Sequence, residues 1–185
     1  MPVSRPTSLT KSTISANALA LIDAEGLDAF STRKLGARLG VEAMALYHHF
    51  PSKQLLVAGV AALLQSQVAI PPDDLGWRSW LGQAARNWRA MALAHPKAFP
   101  LLAAHPAKDG ALFEGQCRVL AAAGLGPADA ARAAHIANAF VLGSVQGEIT
   151  DPAAMAGVFE RGLVMVFDGI AKSIQRARDN APADF

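Results

Sequence analysis

An all-α chain in two helical parts is what this sequence predicts, on three observations. Ala and Leu dominate the apolar residues, which make up 52% of the 185, and both are strong helix formers. No stretch of any length alternates apolar and polar residues as a half-buried strand does. Gly, Pro and Ser cut the chain into lengths typical of helices rather than strands.

The elements follow from that punctuation. Residues 1–8, with two prolines and no periodicity, read as a flexible arm. A first helix is predicted from about Thr10 to Glu25, with Ile14, Ala18, Leu21 and Ile22 on one face and Gly26 as a left-handed cap. Ser31 is a good N-cap for a short helix through Leu39, which Gly40 stops. A second short helix covers Glu42 to His49, until Phe50-Pro51 breaks it, and Ser52 then caps a helix from Lys53 to Val68. The run AIPPDDLG from Ala69 is the clearest boundary in the chain. It divides a domain at 9–68 from a second at 69–185. Beyond it, helices are predicted at Trp77–Ala94, Pro96–Ala104, Lys108–Ala123, Pro127–Ile149 and Pro152–Ala177, with a frayed tail from Asp179. In the last helix Phe159, Leu163, Val166, Phe167, Ile170 and Ile174 recur at steps of three and four, which makes one apolar stripe.

Composition excludes several classes. A chain that is 52% hydrophobic and 17% charged is far from the polar composition of disorder. No apolar run approaches the ~18 residues a membrane helix needs, so no membrane partner is expected. The single Cys117 excludes an intrachain disulfide framework and a multi-cysteine zinc site. The opening MPVSRPTSLTK lacks an apolar signal region, so the cytoplasm is the expected compartment. No Gly-rich phosphate loop, HExxH or GxSxG is present; neither an enzyme nor a cofactor is expected. Net charge is +2, with six Lys/Arg against four Asp/Glu through Ile70 and eleven against eleven after it. The small excess sits entirely at the N-terminal end.

The informative block is STRKLGARLGVEAMALYHHFPSK, from Ser31 to Lys53. Two short helices meet at Gly40, where a missing Cβ permits a sharp turn. Leu35, Leu39, Val41 and Leu46 have the spacing to pack the pair together. Helices this short are unstable alone, so the flanking helices must frame them. The second then presents its outer face, as DNA-reading helices do.

This block resembles the tetracycline-repressor (TetR-type) family of transcriptional regulators. LTKSTISANALALIDAEGLDAF is similar to that family's first helix and loop, and STRKLGARLGV, ALYHHF and PSK to its next three helices. Trp77-Arg-Ser-Trp-Leu, His105-Pro106, Gly124-Leu125 and Val141-Leu-Gly-Ser-Val145 are looser landmarks of its regulatory core. The resemblance implies a homodimer that binds double-stranded operator DNA and responds to a small-molecule effector. It places Thr32 at a phosphate-binding helix start and Arg33 on a guanine edge, where only Arg offers a bidentate fork. Ala43, Met44 and Ala45 take the base-facing positions. They are apolar here, which favours contact with thymine methyls. Tyr47 and His48, with His49 beside them, lie where the family contacts phosphates, and Lys53 adds a cation at a helix N-terminus.

Structural alternatives stand beside these roles. The Tyr47 ring also suits packing on the domain core, and Arg33 an ordinary solvated helix position. A metal on His48 and His49 is disfavoured, because neighbouring helical side chains point about 100° apart. Cys117 suits a small buried hydrophobe. If the apolar stretch 43–45 does not read DNA, the chain is a small-molecule-binding or helical interaction protein instead.

The second domain is neutral and carries bulky groups, among them Trp77, Trp80, Trp88, Met91, Phe99, Phe113, Phe140, Met155 and Phe159, against small Ala side chains. An apolar or aromatic effector would suit such surroundings. Trp88, Phe99, Phe113 and Cys117 are the candidate lining. The resemblance puts Ala69, Ala84 and Cys117 where the family's tetracycline-binding members carry their drug- and metal-coordinating His, Asn and Gln, which argues against a tetracycline–metal effector. The two last helices are the expected dimer interface, with Ala134, Ala137, Gly143, Ser144, Gly147 and Gly162 allowing close approach and Phe167 and Ile170 supplying buried area.

Overall fold

The computed structural model describes residues 9–105 and 110–180. The N-terminal arm, the start of the helix predicted from Lys108 and the end of the tail lie outside them. All regular structure among the described residues is helical: α1 (Lys11–Glu25), α2 (Thr32–Leu39), α3 (Ala43–Tyr47), α4 (Lys53–Ser66), α5 (Trp77–Ala94), a 3-10 turn (Pro96–Ala98), α6 (Phe99–Ala104), α7 (Ala111–Ala122), α8 (Pro127–Thr150) and α9 (Val158–Asp179). The chain forms two compact units, residues 1–67 with 95–106, and residues 68–94 with 107–185. The boundary at residue 69 in the sequence is therefore crossed a second time: the stretch 95–105 follows α5 and packs with the N-terminal helices.

In the first unit the helices are short and locally capped. Thr10, Ser31 and Ser52 each accept a hydrogen bond from the backbone N–H three residues on, at Thr13, Lys34 and Leu55. A cap of this kind stabilises a helix by about 1 kcal/mol. Ile14, Ala18 and Ile22 of α1, Leu35 of α2, Leu46 of α3 and Val60 and Leu64 of α4 are fully buried, which fixes α2 and α3 on the α1–α4 frame. Gly40 ends α2 at φ 68°, ψ 30°, a left-handed cap that stops the helix where the sequence predicts. Gly26 ends α1 at φ 89° but ψ 161°, so it leaves the helix in an extended, glycine-specific conformation rather than the left-handed one. The tight place in the motif is Gly36, where a Cβ would lie 2.7 Å from the Val41 carbonyl oxygen. α3 closes two residues earlier than predicted, at Tyr47.

The second unit holds the longest helices, α8 and α9, and α7, α8 and α9 start at Gly110, Gly126 and Gly157 with no side-chain cap. Packing holds them. Trp80 of α5 is fully buried, its ring set against Gly115 of α7, where a Cβ would lie 2.5 Å away. Phe140 of α8 occupies the space that the missing side chain of Gly162 leaves on α9. The stripe of α9 is buried at Phe159, Leu163, Phe167, Ile170 and Ile174. That corrects the expected interface, because Phe167 and Ile170 bury their area within this chain. α9 also starts at Val158, not Pro152.

Candidate nucleic-acid interface

The α2–turn–α3 motif owes its shape to a few contacts. Val41 donates its N–H to the Gly36 carbonyl at 3.0 Å, closing the turn over the space the glycine leaves. Leu35 and Leu46 point inward with no exposed surface, which leaves the opposite faces of both helices to solvent. There Met44 is 71% exposed and Tyr47 36%. A methionine of this exposure between two half-buried alanines, Ala43 and Ala45, forms an apolar tip. The Tyr47 ring is not sealed into the core.

Thr32 opens α2, half-buried, and Arg33 beside it is exposed. Among the described residues the Arg33 guanidinium has neither a hydrogen bond nor an ion pair, in contrast to Lys34, whose ammonium is 2.6 Å from Glu25. His48 is exposed and His49 half-buried, both just beyond α3. Lys53 opens α4, as the sequence reading places it. Its ammonium donates to the Phe30 carbonyl at 3.1 Å and sits 5.6 Å from the Phe30 ring centre, tying the start of α4 to the loop ahead of α2. One of its three N–H donors is engaged, and the others remain.

The candidate effector residues are divided. Phe99 opens α6 and is 2% exposed in the core of the N-terminal unit, apart from the unit that holds the other three. Trp88, Phe113 and Cys117 are half-buried in the second unit. Phe113 lies 4.8 Å from the His135 ring, and burial pushes the Cys117 thiol up from its ordinary range. A cleft of about 320 Å³ in the same unit is lined by Ile70, Pro71, Pro72, Asp73, Ala111, Glu114 and Arg118, none of them a sequence candidate. Sequence reasoning also missed the buried Gln116, which exchanges two hydrogen bonds with Asn138 at 2.7 and 3.0 Å. Such polar pairs inside an alanine-rich core carry no periodic signal.

A helix-turn-helix held on a two-helix frame, with apolar and aromatic groups and an unpaired guanidinium on its outer side, defines a DNA-binding protein. The sequence matches the family model for bacterial regulatory proteins of the tetR family over residues 14–60 and the tetracyclin repressor-like C-terminal domain over 70–157. It is 30% identical to the class A tetracycline repressor protein from transposon 1721 of Escherichia coli, over 90% of this chain and 92% of that one. Among solved structures it is similar to TetR from Acinetobacter baumannii AYE, a point variant in complex with minocycline (TM-score 0.80, 27% identity, 90% and 99% of the two chains). It is also similar to BioQ with its natural double-stranded DNA operator (TM-score 0.78, 29% identity, 89% and 99%). The chain belongs to the tetR family and is a ligand-responsive, DNA-binding regulator of transcription. Among the described residues no helix is long and apolar enough to cross a membrane.

Proposed function

We infer that this chain is a homodimeric cytoplasmic repressor, released from a near-palindromic operator by a small apolar or aromatic effector that it binds without turning it over. The observation that carries the reading is the pairing of an exposed, unpartnered Arg33 with the 71% exposed Met44 on one motif. Arg33 reads a guanine through O6 and N7, while Met44, with Ala43 and Ala45, packs on thymine methyls. Thr32, Tyr47, His48, His49 and the remaining donors of Lys53 hold the phosphates. With so few cations, affinity rests on two heads acting together rather than on a broad basic surface.

Ile136 of α8 and Val164 and Met165 of α9 are 62%, 55% and 75% exposed, and this apolar set supports a two-fold interface built on the two long helices. Trp88, Phe113 and Cys117 are the effector-facing residues of the second unit. Because Ala69 and Ala84 lack polar groups, a less polar ligand fits better than a metal-bound tetracycline. Coupling is reciprocal, so operator weakens effector by the factor by which effector weakens operator.

Selection of bound DNA from a random pool tests the reading. It predicts an enriched two-fold motif, bound with an affinity that falls steeply as salt rises. The absence of any enriched motif would instead favour a helical ligand-binding or interaction protein, the reading that the apolar tip at 43–45 keeps as runner-up.

A further inference from the structure

The last turn of α1 carries two acids, Asp23 and Glu25, and no base of its own. That is the wrong charge for a helix C-terminus, where the macrodipole and the last carbonyls favour cations. Donors from elsewhere in the unit make up the deficit. From α2, the Lys34 ammonium reaches Glu25 at 2.6 Å and the Ala29 carbonyl at 3.0 Å. From the 95–98 turn, Lys97 donates to the Ala24 carbonyl at 2.6 Å, and His95 Nδ1 lies 2.8 Å from Asp23 Oδ2. A carboxylate only accepts, so Nδ1 carries the proton and donates. The other Asp23 oxygen, Oδ1, is buried with no hydrogen-bond partner among the described residues. Among the described residues His95 is therefore the carboxylate's one side-chain partner, and losing it would leave both oxygens without one.

The geometry points to the Asp23–Glu25 turn as a positioning junction that sets operator affinity. On one side it holds α2 through Lys34, the neighbour of Arg33. On the other it holds His95 and Lys97, and His95 is joined by one peptide bond to Ala94, the last residue of α5. The turn thus joins α2 and the 95–98 segment to one end of α1. His95 and Lys97 do not touch DNA; they fix where the reading head stands. This inference rests on the repressor reading above and adds to it the residues through which the head is held.

The test uses the full chain as wild type, His95→Ala, His95→Asn and the double variant H95A/K97A. The probes are the two-fold duplex that wild type enriches, a half-site duplex, and amide hydrogen exchange without DNA. The double variant H95A/K97A is expected to bind the two-fold duplex about tenfold more weakly and the half-site within about twofold of wild type. Exchange should quicken in the last turn of α1. His95→Asn, whose amide N–H can stand in for Nδ1–H, should recover most of the affinity that His95→Ala loses. Unchanged affinity for the two-fold duplex overturns the junction, and so does an equal loss on both duplexes, the mark of a head that has merely loosened. If wild type enriches no DNA, the repressor reading falls, and unchanged exchange in H95A/K97A would overturn the junction separately.

Discussion

Five arginines of the second unit and Arg33 of the first differ in what fills their forks. In the second, Arg78, Arg86, Arg89, Arg118 and Arg132 each pair with a carboxylate of their own unit, Asp168, Glu160, Glu148, Asp73 and Asp129. In the first, Arg33 has no hydrogen bond or ion pair among the described residues, and the motif that carries it exposes Met44 and Tyr47. Arginine whose fork is filled by a carboxylate serves the fold, and arginine left open is available to a partner. The same contrast runs through the helix ends: side-chain hydroxyls cap α1, α2 and α4, whereas α7, α8 and α9 begin on glycine and rely on what their faces bury.

Three substitutions bear on that contrast. The largest effect is expected at Trp80, since truncation to alanine empties a fully buried site and costs about 3–5 kcal/mol. Chemical denaturation should show the loss in the second unit's transition, and a change below about 1 kcal/mol would mean that packing is not what holds it. Next comes Ser31→Ala, which removes the cap of α2 at a cost of about 1 kcal/mol. Denaturation should register it, and operator affinity should fall with it because α2 is short; an equal alanine effect at the start of α8 would erase the distinction between the units. The smallest concerns the Arg86–Glu160 pair. The Arg86 guanidinium, hydrogen-bonded to Glu160, holds that carboxyl below its ordinary range. A carboxyl lowered on folding contributes stability above its unfolded value and loses it as pH falls through the folded one. Both side chains are 55% exposed, so solvent screens the pair to well under about 1 kcal/mol. Thermal unfolding should lose that small increment on acidification in wild type and not in Glu160→Gln.

What was legible in the sequence follows the same division. The ends of α2 were plain because Ser31 and Gly40 act on their immediate neighbours, and α5 matched because Gly76 and His95-Pro96 bracket an unbroken periodic stretch. The outward residues of the reading head were legible too, once Leu35 and Leu46 were assigned to the inside. Less visible was Gly36. A glycine inside a short helix costs about 1 kcal/mol, which signalled a reason, but the close Val41 carbonyl that supplies it is seen only in the fold. The start of α9 was misread because proline ordinarily opens a helix. Here the Asp151 carboxylate takes the Ala154 N–H at 3.0 Å, and Gly157 at φ 70° turns the chain before the helix begins. The return of 95–106 to the first unit rests on contacts such as His95 with Asp23, 72 residues apart, and local pattern holds no trace of them. Phe99 was placed with the effector residues for that reason.

The central claim is that the unpaired guanidinium on α2 reads a base. Titration of wild type and Arg33→Ala against the selected operator, and against copies altered one base pair at a time, tests it most directly. The account predicts a loss of about 1–3 kcal/mol for the variant, with discrimination relaxed at one guanine in each half-site. An Arg33→Ala protein that binds as tightly as wild type and keeps every sequence preference would contradict it.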